Sequence, residues 1–176
     1  MGELHKKGVL GDCNTEDITV LPGKGADTLK NLAILMSIEK LPYVVILDGD
    51  KKGNDTKSQM IHDGLPDNKI ILLNLENNKD KQEIDIEDLF SVDLYEQAFA
   101  STYEGRLKAN ADEVKDEVKK LLQGNLKYNN AVKEFLKKSG INGEIDKIKI
   151  AQKLIELISE PGKLDNTTQS NFENLI

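Results

Sequence analysis

Five apolar residues in a row, Tyr43-Val44-Val45-Ile46-Leu47, run without a break into Asp48-Gly49-Asp50. That junction limits the possible folds more than any other stretch of the chain. An unbroken β-branched run suits a strand covered on both faces, as in a parallel sheet. Parallel strands need crossover connections, and the flanking sequence offers them. Upstream, "DITVLPGKG" (Asp17–Gly25) reads as a short strand stopped by Pro22 and Gly23. A helix follows over Ala26–Leu41, with Leu29, Leu32, Ala33, Met36 and Leu41 near helical spacing. Asp27 or Thr28 is its expected N-cap and Pro42 its stop. Downstream, Asn54–Leu65 reads as a short helix ended by Gly64, and "KIILLNL" (Lys69–Leu75) as a third strand. Strand, helix, strand, helix, strand predicts a doubly wound parallel sheet over roughly the first 75 residues.

The second half is helical in pattern from Asp93 onward. "ADEVKDEVKKLLQ", "NNAVKEFLKKSG" and "DKIKIAQKLIELISEPG" are three amphipathic pieces separated by Gly or Asn. Glu113 and Lys120, two turns apart, mark a solvated face. We therefore expect an α/β core over 1–90, a helical extension packing on it over 91–160, and a loosely held tail over 161–176.

Composition narrows the function classes. A net charge of −7 opposes phosphate backbones unless cations, a basic patch or a partner intervene. A lone cysteine, Cys13, cannot form an internal disulfide and fits a reducing compartment. The chain contains no run of eighteen apolar residues, and its start lacks a signal-peptide core, so the expectation is a soluble, cytoplasmic protein with no membrane contact.

The two acids carry the chemistry. Residues two apart on a strand point to one side, so Asp48 and Asp50 are expected to project together from the carboxyl end of their strand. Ligands bind at that edge in open parallel sheets. Neighbouring carboxylates repel unless a cation sits between them, and hard oxygens suit Mg²⁺ or Mn²⁺. Gly49 and Gly53 would allow a sharp turn and leave room for a substrate phosphate. The competing reading is structural: Asp-Gly-Asp as a turn and helix cap.

"LPGKGADTLKNLAILMSIEKLPYVVILDGDKKGND" resembles the central part of a Toprim domain, and most closely that of the OLD-family (overcoming lysogenization defect) nucleases. The shared pattern is a glycine-lysine turn after a strand, a helix, a strand ending in Asp-x-Asp, an acidic motif and a lysine heading a later helix. "DIEDLF" (Asp85–Phe90) matches the acidic motif and "DKIKIAQKLIELI" (Asp146–Ile158) the lysine, so the resemblance covers about 17–158. It implies a Rossmann-like parallel sheet with flanking helices and a C-terminal helical extension. It implies a DNA endonuclease that hydrolyses phosphodiesters with Mg²⁺ or Mn²⁺. Asp48, Asp50, Asp85 and Glu87 would be metal ligands; Asp48, Asp50, Glu87 and Lys147 would be catalytic, Lys147 steadying charge on the phosphate.

Toprim domains also begin with a strand and a Glu, which have no match here; Glu3 is the nearest acid to the start. OLD-family nucleases carry an ATPase domain, and "GKGADT" lacks the Walker spacing. The chain would then be a segment of a longer protein, or work with an ATPase on a separate chain, and robust cleavage by it alone is not expected. A homodimer is compatible with this reading. The alternative is a non-catalytic Toprim remnant acting as a binding or assembly module. A receiver-type phosphoacceptor ranks behind both, for want of an acid pair on the first strand. For the remaining candidates the structural readings lead: Gly23-Lys24-Gly25 as a strand-to-helix turn rather than a phosphate cradle, His62 as a surface or capping residue, and His5 and Cys13 as residues without ligand spacing.

Overall fold

The computed structural model of the protein describes residues 18–23, 25–75, 83–106, 111–123, 127–141, 145–159 and 164–174. Among them are seven α-helices and two short strands. In chain order these are α1 (Ala26–Ile38), β1 (Val45–Leu47), α2 (Lys51–His62), β2 (Ile70–Leu72), α3 (Val92–Tyr103), α4 (Ala111–Leu122), α5 (Tyr128–Lys138), α6 (Lys147–Ser159) and α7 (Asn166–Glu173). Single turns of 3₁₀ helix stand at Asp67–Lys69 and Ile86–Leu89.

β1 and β2 run parallel, with Val45 opposite Ile70 and Leu47 opposite Leu72, and α2 forms the crossover. Val45 and Leu47 join Ala33, Met60, Leu65 and Ile70 in one apolar cluster beneath α1 and α2. The fold is thus mixed α/β but mostly helical. Two expectations are corrected. Ile18–Gly23 forms no strand, and its Val20 and Leu21 lie exposed. Pro22 has no N–H to give a ladder, and the described residues offer that segment no pairing partner. The sheet among the described residues therefore has two strands, and the doubly wound arrangement is not formed there. Nor is β1 covered on both faces, because Ile46 stays about half exposed between its buried neighbours.

Helix ends follow local chemistry. α1 begins one residue before Asp27, after Gly25 in a positive-φ conformation (+119°) open to glycine, so neither Asp27 nor Thr28 caps it. It stops at Ile38, ahead of Pro42. α2 starts at Lys51, three residues earlier than its pattern predicts, because Asp50 caps it.

The helical half packs around α3, which contacts α4 and α6, while α5 lies on α4. Leu94, Tyr95, Ala98, Phe99 and Tyr103 of α3 are all buried. Phe99 meets Phe135 edge-on at 5.8 Å. The described part of the expected loose tail, 164–174, is held in place. Asp165 caps α7 by accepting the Thr168 N–H at 2.9 Å, and Ser91 Oγ donates to Asp165 Oδ2 at 2.8 Å. Asn171 Nδ2 donates to the Leu89 carbonyl at 3.0 Å. Phe172 packs beside Leu73, Leu75, Ile84 and Leu89, where the sheet and helical halves meet.

Candidate functional site

The chain leaves β1 at Leu47 and immediately pairs again. Gly49 exchanges antiparallel hydrogen bonds with Ile84, at 2.7 and 3.1 Å. That bridge carries Asp85 and Glu87 to the end of β1, though they lie 37 residues on in sequence from Asp48 and Asp50 respectively (85 − 48 and 87 − 50). Glycine is required at the bridge: a Cβ on Gly49 would collide with the Leu73 carbonyl oxygen and crowd Ile84 Cβ at 3.3 Å. Gly53 is buried against the Asp48 carbonyl oxygen in the same way. The space expected for a phosphate at these glycines is therefore filled by the chain's own backbone.

Asp50 realises both readings of its motif. Its Oδ1 accepts the Gly53 N–H at 2.7 Å and caps α2. Its Oδ2 accepts from Lys127 Nζ at 2.9 Å. Asp85 is likewise a cap and a site residue. It opens the 3₁₀ turn in a capping box with Asp88, whose Oδ2 accepts the Asp85 N–H at 2.8 Å. Its Oδ1 pairs with Lys127 at 2.8 Å, and its Oδ2 accepts from Asn129 Nδ2 at 3.2 Å. Asp88, 1% exposed, also accepts the first N–H of α5, at Tyr128, at 3.0 Å. One buried carboxylate thus ties the acidic turn to the helix that follows Lys127.

Glu87 pairs with Lys147 Nζ at 3.1 Å. Lys147 is the first residue of α6, and through Glu87 its charge reaches this edge from the helical half. α6 is set there by Asp146, whose N–H donates to Tyr103 Oη at 3.0 Å. Lys127 is the residue that sequence reasoning missed. It contacts Asp50, Asp85 and, at 3.6 Å, Glu83, and its side chain is only 11% exposed. Its one local signal is a lysine just before a helix, where the helix dipole disfavours a cation.

The electrostatics divide the two aspartates. Asp48 lies at the surface, and no described residue hydrogen-bonds to its side chain. Packing of protein around its carboxyl, then the charges of Asp85, Asp50 and Glu87, push its pKa above the usual carboxylate value. For Asp50, partial burial acts upward but is outweighed by the Gly53 N–H and by Lys127, and its pKa falls. Burial alone would lower Lys127; its bonds to Asp85 and Asp50 win and hold the ammonium firmly charged.

Four of these groups are carboxylates, a donor chemistry suited to Mg²⁺ or Mn²⁺. Their arrangement is not. Among the described residues no three acids converge on one ion-sized point. The inner oxygens of Asp50 and Asp85 both face Lys127, and their outer oxygens are held by Gly53 and Asn129. The residues as placed thus fit an ammonium rather than a divalent metal.

His62 ends α2 on the surface with Nδ1 3.4 Å from Asp63. Lys24, Glu3, His5 and Cys13 lie outside the described residues. No described helix is long and apolar enough to cross a membrane. No family model, curated protein or solved structure matches the chain. The Toprim resemblance accordingly stands on the motif residues quoted above.

Proposed function

We propose that this chain is the acid-bearing region of a Toprim-like, OLD-type DNA endonuclease, with weak activity on its own. The observation that carries the reading is the meeting of Asp48 and Asp50 with Asp85 and Glu87 at one end of β1, with Lys147 on Glu87. Capping accounts for Asp50 and Asp85, but no cap accounts for Asp48 and Glu87 at the same edge. Such a gathering costs stability and is tolerated where chemistry needs it. Mg²⁺ or Mn²⁺ would be the cation class recruited, and DNA the substrate. A rearranged cluster, or residues supplied by a partner such as an ATPase domain, would be required for full turnover.

The second reading, a non-catalytic remnant serving as a binding or assembly module, draws on Lys127, which already neutralises part of the cluster. Plasmid nicking separates the two. We expect slow conversion of supercoiled DNA by the whole chain in Mn²⁺, abolished by Asp48→Ala with Asp50→Ala and reduced at least tenfold by Glu87→Gln. Complete absence of nicking by the wild-type chain, or unchanged nicking by the double variant, removes the nuclease reading and leaves the remnant.

A further inference from the structure

We propose that α6 pairs antiparallel with the α6 of a second copy of this chain, through an apolar stripe that a single copy leaves in water. The inference is independent of the nuclease reading. α6 is apolar on two sides. Ile150, Leu154 and Ile158 are buried in the helical core, where α6 packs on α3. Ile148, Ala151 and Ile155 are exposed, Ile148 at 74% and Ile155 at 55%. Their spacing of three and then four residues sets them in one line along the helix, the pattern of a two-helix seam. Scattered apolar residues on a surface need no explanation. A second aligned stripe on a helix already anchored by its first does.

The stripe itself names its occupant. Turned end for end, it fits its own copy: Ile155 of each chain lies over the small Ala151 of the other, and Ile148 extends the contact at both ends. Charge follows the same rule. Lys149 and Glu156 are seven residues apart, so two turns bring them to one side of the stripe. In an antiparallel pair equal sides meet, and Lys149 of each copy faces Glu156 of the other. A parallel pair forgoes that match. Both groups are free to be shared, being 64% and 62% exposed and paired only weakly with nearby Asp146, at 3.3 Å, and Lys153, at 2.6 Å. An anionic lipid surface, the other class that takes a stripe flanked by lysines, would set Glu156 against like charge. One 13-residue helix makes a small interface, so the pair is weak and forms only in concentrated solution. Because Lys147 at the start of α6 touches Glu87, this seating sets two acidic edges about 20 Å apart, roughly one helix length.

Sedimentation equilibrium of the full 176-residue chain, from about 10 µM to about 1 mM, tests the pairing. We expect the mean mass to climb from that of one chain toward that of two. Ile148→Glu should weaken the association at least tenfold. Lys149→Glu and Glu156→Lys should each weaken it several-fold, because each sets like charges across the seam. An equimolar mixture of those two variants restores both cross-pairs, and should associate several-fold more tightly than either variant alone. A wild-type chain that stays monomeric throughout overturns the proposal, and so does association that Ile148→Glu leaves unchanged. A mixture that associates no better than its components overturns it as well. Should Ile148→Glu fail to melt cooperatively, the mixture decides alone, since Lys149 and Glu156 both lie at the surface. Binding to phosphatidylserine vesicles by a chain that does not self-associate overturns the proposal and hands the stripe to a lipid. None of these outcomes depends on whether the chain nicks DNA.

Discussion

Each oxygen of Asp50 has its own duty, one to the first turn of α2 and one to Lys127. Such double use makes single substitutions here costly and interpretable. Removing the ammonium in Lys127→Met leaves the partly exposed Asp50 and Asp85 without their counter-charge, and we expect a loss of about 1–2 kcal/mol in urea unfolding. Gly53→Ala would force a methyl into the Asp48 carbonyl, with an expected loss of about 2–3 kcal/mol by the same measurement. Asp48 behaves in the opposite way. Its raised folded pKa means that the native state holds its proton more tightly than the unfolded chain. Its contribution therefore falls as pH climbs from 3.8 through the folded value, then stays level. Asp48→Asn should melt higher than wild type at pH 7, by about 1–2 °C, and equal to it below pH 3.8. A higher wild-type melting point at pH 7 would contradict this. What sequence made legible at this scale was local: Asp-Gly-Asp reads as a turn and helix cap, and Asp50 caps α2 within its own turn. Lys127 was hidden because its partners lie 77 and 42 residues away, and no spacing rule connects them (127 − 50 and 127 − 85).

Elements were legible where periodicity was strong. α1, α4, α5 and α6 follow the spacing of their apolar residues, whereas α2, with only Met60 and Ile61 apolar, was marked by its glycine stop. α3 was harder to single out because apolar residues cover much of its circumference, as suits the centre of a bundle. The Ile18–Gly23 segment misled because β-branched composition signals a strand only where a neighbour supplies hydrogen bonds. α7 misled in the other direction: its polar sequence looks unfit for packing, yet its polar groups are the contacts. Thr168 accepts the Ser91 N–H at 2.9 Å and donates to Asp165, and Asn171 reaches Leu89. Asp88 joins two elements in the same manner. Asp88→Ala strips the Asp85 and Tyr128 N–H groups of their acceptor together, and we expect a loss of about 2–4 kcal/mol. Calorimetric melting of that variant checks the figure; a loss below 0.5 kcal/mol would mean that water replaces the carboxylate at no cost.

At the scale of the whole molecule, the acid cluster belongs to neither half alone. The β1 end supplies Asp48 and Asp50, the connecting turn supplies Asp85 and Glu87, and the helical half supplies Lys127 and Lys147. Lys127→Met should therefore also weaken the link between the halves, visible as a broader thermal transition than that of wild type. The 77-residue interval between Asp50 and Lys127 has a temporal meaning as well. A ribosome adding about 5–20 residues per second releases the aspartates about 4–15 s before the lysine that neutralises them. During synthesis the first half carries a mutually repelling set of charges without Lys127, and that newborn segment must wait for its own later sequence before this edge can settle.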